Sequence, residues 1–186
     1  MRAITKEDLA NIYDNLMPIH FPKDEIKPWA KLSTLWDEGH YHGYIWEDEA
    51  GELIGYALLY ESTDDYWLLD YYAVNSKERN KGYGSRFLGE LKAELAAKTA
   101  GVIIETENPA YGKDEAEKDL RTRRINFYLR NGCEKSGILS TAEGVAYVIL
   151  YMQGKKACEK NKIAEHLAEI YDLVLPKDAE IEVWAE

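Results

Sequence analysis

With 186 residues, 46% of them hydrophobic and 31% charged, the chain can bury a core around a central sheet and is not disordered throughout. No apolar run approaches the ~20 residues of a membrane helix. Residues 1–8 lack the apolar centre of a signal peptide, and two cysteines cannot build a disulfide framework, so a cytoplasmic location without a membrane partner is expected. A formal net charge of −11 argues against nucleic acid or an anionic membrane as the main partner and suits a cationic amine.

In chain order, residues 5–16 are expected to form a helix. Leu9, Ile12, Tyr13 and Leu16 recur at helical spacing, and Thr5 with Asp8 resembles a capping box. After Pro18 and Pro22, a second helix over 24–38 presents Ile26, Trp29, Leu32, Leu35 and Trp36, with Gly39 as its cap. Residues 42–48 and 53–61 read as strands joined in a hairpin. The third strand, residues 66–74, is apolar on both faces apart from Asp70, the pattern of a strand covered on both sides. A glycine-containing loop and a helix to about Lys98 follow, then a strand over 102–105. The polar stretch 108–118, with Pro109 and Gly112, reads as an exposed loop. A helix over 119–130 is stopped by Asn131-Gly132, and strands are expected over 133–139 and 145–152. A last helix over 155–174 puts Ile163, Leu167, Ile170, Tyr171 and Val174 on one face, and residues 180–184 read as an edge strand. The order predicts an α/β (α+β) fold with one right-handed crossover where the sheet is parallel.

Between the apolar strand and the amphipathic helix lies Arg79-Asn80-Lys81-Gly82-Tyr83-Gly84. The N–H groups that open a helix have no intrahelical acceptor, and the macrodipole favours negative charge there. Glycine at 82 and 84 lets a diphosphate approach the backbone. Lys77, Arg79, Lys81 and Arg86 cluster around this turn in an otherwise acidic chain, as Arg121, Arg123, Arg124 and Arg130 do further on, and a bound polyanion would explain them. The rivals are an ordinary turn and a dinucleotide loop, but the latter wants a third glycine where Phe87 stands.

Residues 74–88 closely resemble the acyl-CoA-binding motif of the GNAT (GCN5-related N-acetyltransferase) superfamily, Gln/Arg-x-x-Gly-x-Gly/Ala. A second superfamily feature is a tyrosine four residues before a glycine at the end of the next helix. Phe127-Tyr128-Leu129-Arg130-Asn131-Gly132 matches it, although Cys133 stands where an aromatic residue is common. The resemblance covers residues 1–152 in element order. It implies the GNAT fold, a mixed, mostly antiparallel central sheet flanked by helices, with strands 4 and 5 splayed to admit the pantetheine arm of acyl-CoA. Residues 1–152 would be the acyltransferase domain, and 153–186 a helix and tail packed on it or at a homodimer interface. The resemblance further implies that the main chain of Tyr72, Ala73 and Val74 aligns the thioester, and that Arg79, Asn80, Lys81, Gly82, Tyr83, Gly84 and Ser85 cradle the pyrophosphate. The implied function is transfer of an acetyl group from acetyl-CoA to a primary amine of a small molecule or peptide by direct attack. The alternative is a GNAT-fold sensor that binds acyl-CoA without turnover, which could dispense with Asp70 and Tyr128.

Aminolysis of a thioester needs an unprotonated amine, a stabilised oxyanion and a proton for the leaving thiolate. An alkylamine with a pKa near about 10.4 requires a proton acceptor near neutrality. Asp70, four residues before Val74 where many family members carry a base, is the leading candidate. Its neighbours Leu68, Leu69 and Tyr71 are expected to desolvate it and raise its pKa; the competing reading is a carboxylate bonded to backbone at a strand end. Glu105 on the next strand is second, acting through water, ahead of Glu107, Glu61 and His20. Tyr128, in the superfamily's acid position, can protonate the thiolate; the competing reading is a packed aromatic. A main-chain N–H near Val74 would hold the oxyanion. Arg121, Arg123 and Arg124 either reach a CoA phosphate or pair with Glu117 and Asp119. The tryptophans are expected to be core or acceptor-pocket wall, and the resemblance puts Trp29 and Trp36 on the helix that lines the acceptor side. No metal is expected, because the histidines lack ligand spacing. Neither Cys133 nor Cys158 has a nucleophile's context, which fits direct transfer. The acceptor itself has no code in the sequence.

Overall fold

The computed structural model describes residues 1–48, 50–62, 65–75 and 82–186. Thr5 opens the first helix with the capping box its sequence encodes: its side chain accepts the Asp8 N–H, and Asp8 accepts the Thr5 N–H at 2.8 Å. The expected continuous helix over 5–16 is instead α1 (Lys6–Asn11) followed by a π-helical turn over Ile12–Leu16 and by α2 (Met17–His20). Pro18 has no N–H to give the Asp14 carbonyl, and the Met17 N–H reaches back to Ile12. A second departure has the same origin. The helix expected over 24–38 begins only at α3 (Trp29–Asp37), because Pro28 sits at its N-cap with φ −56° and ψ 139°. Lys23–Glu25 form a separate 3-10 turn, which leaves Lys27 in the link between them.

The strands are β1 (Arg2–Ala3), β2 (Tyr41–Glu47), β3 (Leu53–Glu61), β4 (Tyr66–Val74), β5 (Gly101–Glu107), β6 (Glu134–Ala142), β7 (Val145–Gln153) and β8 (Ile181–Ala185), in the sheet order β1-β2-β3-β4-β5-β7-β6-β8. β1–β2, β2–β3, β5–β7, β6–β7 and β6–β8 pair antiparallel. β4 and β5 pair parallel, the two strands being linked by the crossover helix α4 (Tyr83–Leu95). This is the mixed, mostly antiparallel sheet with flanking helices that the family resemblance implies, with the crossover that the element order predicts. The parallel register joins Tyr66–Leu69 to Gly101–Ile104 and stops short of the ends of both strands.

Two compact units make up the chain, residues 1–61 with 70–87, and residues 62–69 with 88–186. The first closes around Leu9, Ile12, Leu32, Leu58 and Phe87, all buried. The second holds α5 (Glu115–Arg130) and α6 (Lys160–Val174). Part of the loop expected over 108–118 is helical here. Pro109–Tyr111 form a 3-10 turn, and Asp114 caps α5 by accepting the Glu117 N–H at 2.8 Å. α6 buries Ile163, Leu167 and Ile170 completely, and β8 extends this unit's strands by pairing with β6.

The far end of α5 closes through a Schellman pair. Gly132 adopts φ +81°, its N–H bonds the Leu129 carbonyl at 3.1 Å, and the Cys133 N–H bonds the Tyr128 carbonyl at 3.1 Å. The four-residue spacing between Tyr128 and Gly132 is therefore helix-capping geometry. A Cβ at Gly132 would be strained in this backbone and would lie 2.9 Å from Lys92 Nζ. Gly132→Ala is predicted to destabilise the protein by about 1–2 kcal/mol, read as a lower urea midpoint with unchanged slope.

Candidate active site

In the first unit, the end of β4 is fastened to the start of α4. The Tyr72 hydroxyl donates to the Gly84 carbonyl at 2.7 Å, and its ring stacks on Phe87 with centroids 5.3 Å apart. Phe87, at the place a dinucleotide loop gives to glycine, is wholly buried and stacks on Trp46. Tyr83 meets Trp46 edge-on at 5.7 Å, and the Arg86 guanidinium covers the same indole at 5.0 Å. Gly82 takes φ +81° immediately before the helix, and among the described residues a Cβ there would meet nothing within 4 Å. Gly84 and Ser85 are partly exposed in the first helical turn. A partly exposed helix start, where N–H groups lack intrahelical acceptors, fits a diphosphate. Arg79, Asn80 and Lys81 lie outside the described residues.

Asp70, on β4 two residues before Tyr72, is buried as its apolar neighbours suggested, with a side chain 7% exposed. It is also fully engaged. Lys27 Nζ lies 2.5 Å from Oδ1, and the Tyr41 hydroxyl donates to Oδ2 at 2.6 Å. Lys27 also lies over the Tyr71 ring at 5.3 Å, and its own N–H bonds the Tyr71 hydroxyl, which donates to the Glu25 carbonyl. Burial and the Asp70 charge hold the Tyr41 phenol well above its ordinary range, and burial pushes Tyr71 up to about 12. Both phenols are therefore permanent donors at neutral pH. Around them, His20 Nδ1 lies 3.2 Å from the Tyr56 hydroxyl, Phe21 packs on Tyr71, and the Trp29 ring lies 5.3 Å from that of Tyr13.

In the second unit, Glu105 of β5 accepts a short hydrogen bond on Oε1 from the Tyr171 hydroxyl of α6, which also lies 2.8 Å from Ser140 Oγ of β6. Tyr128 is buried on the last turns of α5, and burial, partly offset by Arg124, raises its phenol above the ordinary range. The arginines nearby answer one question the sequence left open. Arg121 is buried and bonds Glu107 at 2.9 Å, Glu117 at 2.8 Å and the Asn108 carbonyl at 3.0 Å, and Arg124 bonds Glu107 at 2.9 Å. They serve carboxylates on α5 and β5. Burial pushes the Cys133 thiol up to about 11, which leaves little nucleophilic thiolate at neutral pH.

The structure thus places Asp70, Tyr72, Ala73, Val74, Gly82, Tyr83, Gly84 and Ser85 in the first unit, and Glu105 and Tyr128 in the second. Sequence reasoning missed Lys27 and Tyr41 beside Asp70, and Ser140 and the polar role of Tyr171 beside Glu105. Lys27 was hidden inside a helix that Pro28 delays. Tyr171 offered a signal, a hydroxyl in an otherwise aliphatic stripe.

Removing the Lys27 ammonium leaves a buried carboxylate with Tyr41 alone. Lys27→Met is predicted to cost about 1–3 kcal/mol, less than for a fully buried pair because Lys27 is partly exposed. Lys27→Met with Asp70→Asn should recover at least half of that loss in urea unfolding; full additivity would show that the pair is not coupled.

Residues 7–133 match the family model described as the acetyltransferase (GNAT) family. The chain is 29% identical over 171 residues to the protein named "Putative acetyltransferase YjbC" from Bacillus subtilis (strain 168), covering 87% of this chain and 80% of that one. Among solved structures, one named "Putative acetyltransferase from GNAT family" from Bacteroides thetaiotaomicron superposes with a TM-score of 0.69 at 24% identity, covering 94% of this chain and 98% of that chain. The spermidine N-acetyltransferase of Vibrio cholerae, solved in complex with CoA and spermine, shares the fold at a TM-score of 0.59 and 14% identity, covering 83% and 95% of the two chains.

Proposed function

The chain belongs to the acetyltransferase (GNAT) family and is an acyl-CoA-dependent N-acyltransferase, and we propose that it moves an acetyl group from acetyl-CoA to a primary amine of a small molecule or peptide by direct attack. One observation carries this reading. The segment matched by the family model contains Asp70, the glycine turn, Glu105, Tyr128 and Gly132 together.

Acetyl-CoA supplies an acyl group already activated as a thioester. On this reading the main chain of Tyr72, Ala73 and Val74 aligns that donor, with a β4 N–H near Val74 facing the developing oxyanion. The turn from Arg79 to Ser85 holds the pyrophosphate on the α4 N-terminus. Glu105 takes the proton of the acceptor ammonium through water. Asp70 already carries an ammonium and a phenol, so it builds the acceptor wall with Tyr41, Tyr71 and Trp29; it becomes a base only where Lys27 withdraws. Tyr128, whose raised pKa keeps its proton in place, gives that proton to the leaving thiolate. The proposed compartment is the cytoplasm. No helix among the described residues is long and apolar enough to cross a membrane.

Thiol release from acetyl-CoA across a panel of primary amines tests this directly, with spermidine and spermine included because a polyamine acetyltransferase shares the fold. With a panel member that turns over, Tyr128→Phe is predicted to lower kcat by about 10 to 100-fold while acetyl-CoA affinity changes by less than about two-fold. Because burial shifts the Tyr128 phenol upward from about 10, deprotonation of this group should cause no alkaline fall in rate below about pH 10. Equal turnover by wild type and Tyr128→Phe would remove Tyr128 from the mechanism. Acetyl-CoA binding with no turnover of any amine would make the protein an acyl-CoA-binding module.

A further inference from the structure

α6 buries an aliphatic stripe, Ile163, Leu167, Ile170 and Val174, yet between its last members stands Tyr171, whose side chain is as buried as theirs. A phenol oxygen taken out of water costs free energy unless it is bonded, and phenylalanine would fill the same space without that demand. The hydroxyl has two partners. It donates to Glu105 Oε1, and because its single proton is committed there, the Ser140 hydroxyl at 2.8 Å donates to it. Ser140 is wholly buried. The Glu105 charge and burial raise the Tyr171 phenol far above its ordinary range, with Tyr147 of β7 adding to the same side, so Tyr171 remains a donor at any pH the protein meets. β6, α6 and β5 are thus linked in one chain of hydrogen bonds, Ser140 to Tyr171 to Glu105. Glu105 lies inside the segment matched by the family model, whereas Ser140 and Tyr171 lie beyond its end at residue 133.

We infer that Tyr171, braced by Ser140, is a positioning residue for Glu105, fixing the carboxylate rotamer from which Glu105 takes the acceptor's proton. The inference rests on the reading of Glu105 as proton acceptor. It gives the C-terminal helix a part in the acyl-transfer chemistry beyond covering the sheet. A carboxylate oxygen that accepts a strong O–H bond is restricted in its rotamers, and losing that bond widens the range it samples and lowers the fraction of time it is correctly placed.

The test is a double-mutant cycle on kcat and KM, using thiol release from acetyl-CoA with an amine from the panel above, and thermal unfolding as a control on folding. Glu105→Gln is expected to lower kcat about 100-fold, and Tyr171→Phe about 10-fold with KM for acetyl-CoA unchanged. Adding Tyr171→Phe to Glu105→Gln should cause no further loss, because the tyrosine acts only through the carboxylate. Ser140→Ala should give a smaller loss in the same direction, also absent in the Glu105→Gln background, and it carries the test if Tyr171→Phe does not fold. Full activity in Glu105→Gln, or no turnover by wild type on any amine, would overturn the reading of Glu105 and this inference with it. A normal kcat in Tyr171→Phe, or an equal loss in both backgrounds, would overturn the inference alone and leave Glu105 in place.

Discussion

A carboxylate drawn wholly or partly out of water must be given a cation or hydrogen-bond donors, and this chain meets that demand in two ways, at Asp70 and at the half-buried Glu105. Asp70 receives an ammonium and a phenol, from Lys27 and Tyr41. Glu105 receives a phenol backed by a serine hydroxyl, from Tyr171 and Ser140. The first solution neutralises the charge and makes the carboxylate part of a rigid wall. The second sets a phenol against one carboxylate oxygen and restrains its direction. Two acids on neighbouring strands, each following an apolar run in the sequence, are therefore suited to different work.

The donor side depends on a different economy of parts. A strand that ends at Val74 and a helix that begins at Tyr83 are tied by the Tyr72–Gly84 side-chain hydrogen bond and by a stack of aromatic rings around Phe87. This anchors the helix start, whose backbone N–H groups are the anion-binding element in the proposed function. The acid candidate is held comparably. The carbonyl of Tyr128 accepts the Cys133 N–H that closes α5, so the phenol stands on a helix end fixed by its own cap.

Much of this was legible because it is local. β4 was readable to the residue, since a run apolar on both faces has few places to go but the middle of a sheet. The Thr5 capping box and the stop of α5 at Asn131-Gly132 were readable because helix ends carry recognisable residues, while the Tyr128–Gly132 pair was recognised through the family resemblance. The failures are local as well. Pro28 sets the cap itself and delays α3 by five residues from its expected start at 24. The polar run after Asn108 looked like a loop because the residues that cap and open an exposed helix, Asp114, Glu115 and Glu117, are the residues of loops too. What no pattern could supply are the partners. Lys27 lies 43 positions from Asp70 and Tyr171 lies 66 from Glu105, and only the tertiary fold pairs them.

The central claim is that the donor is an acyl-CoA held at the β4–α4 turn. Thermal unfolding of the wild-type protein with acetyl-CoA, CoA, NAD or ATP at matched concentration tests it most directly. The account predicts that acetyl-CoA and CoA raise Tm, by the equivalent of about 2.7 kcal/mol when the ligand stands at about 100 times its Kd, and that NAD does not. Stabilisation by NAD or ATP with none from either CoA species would contradict it.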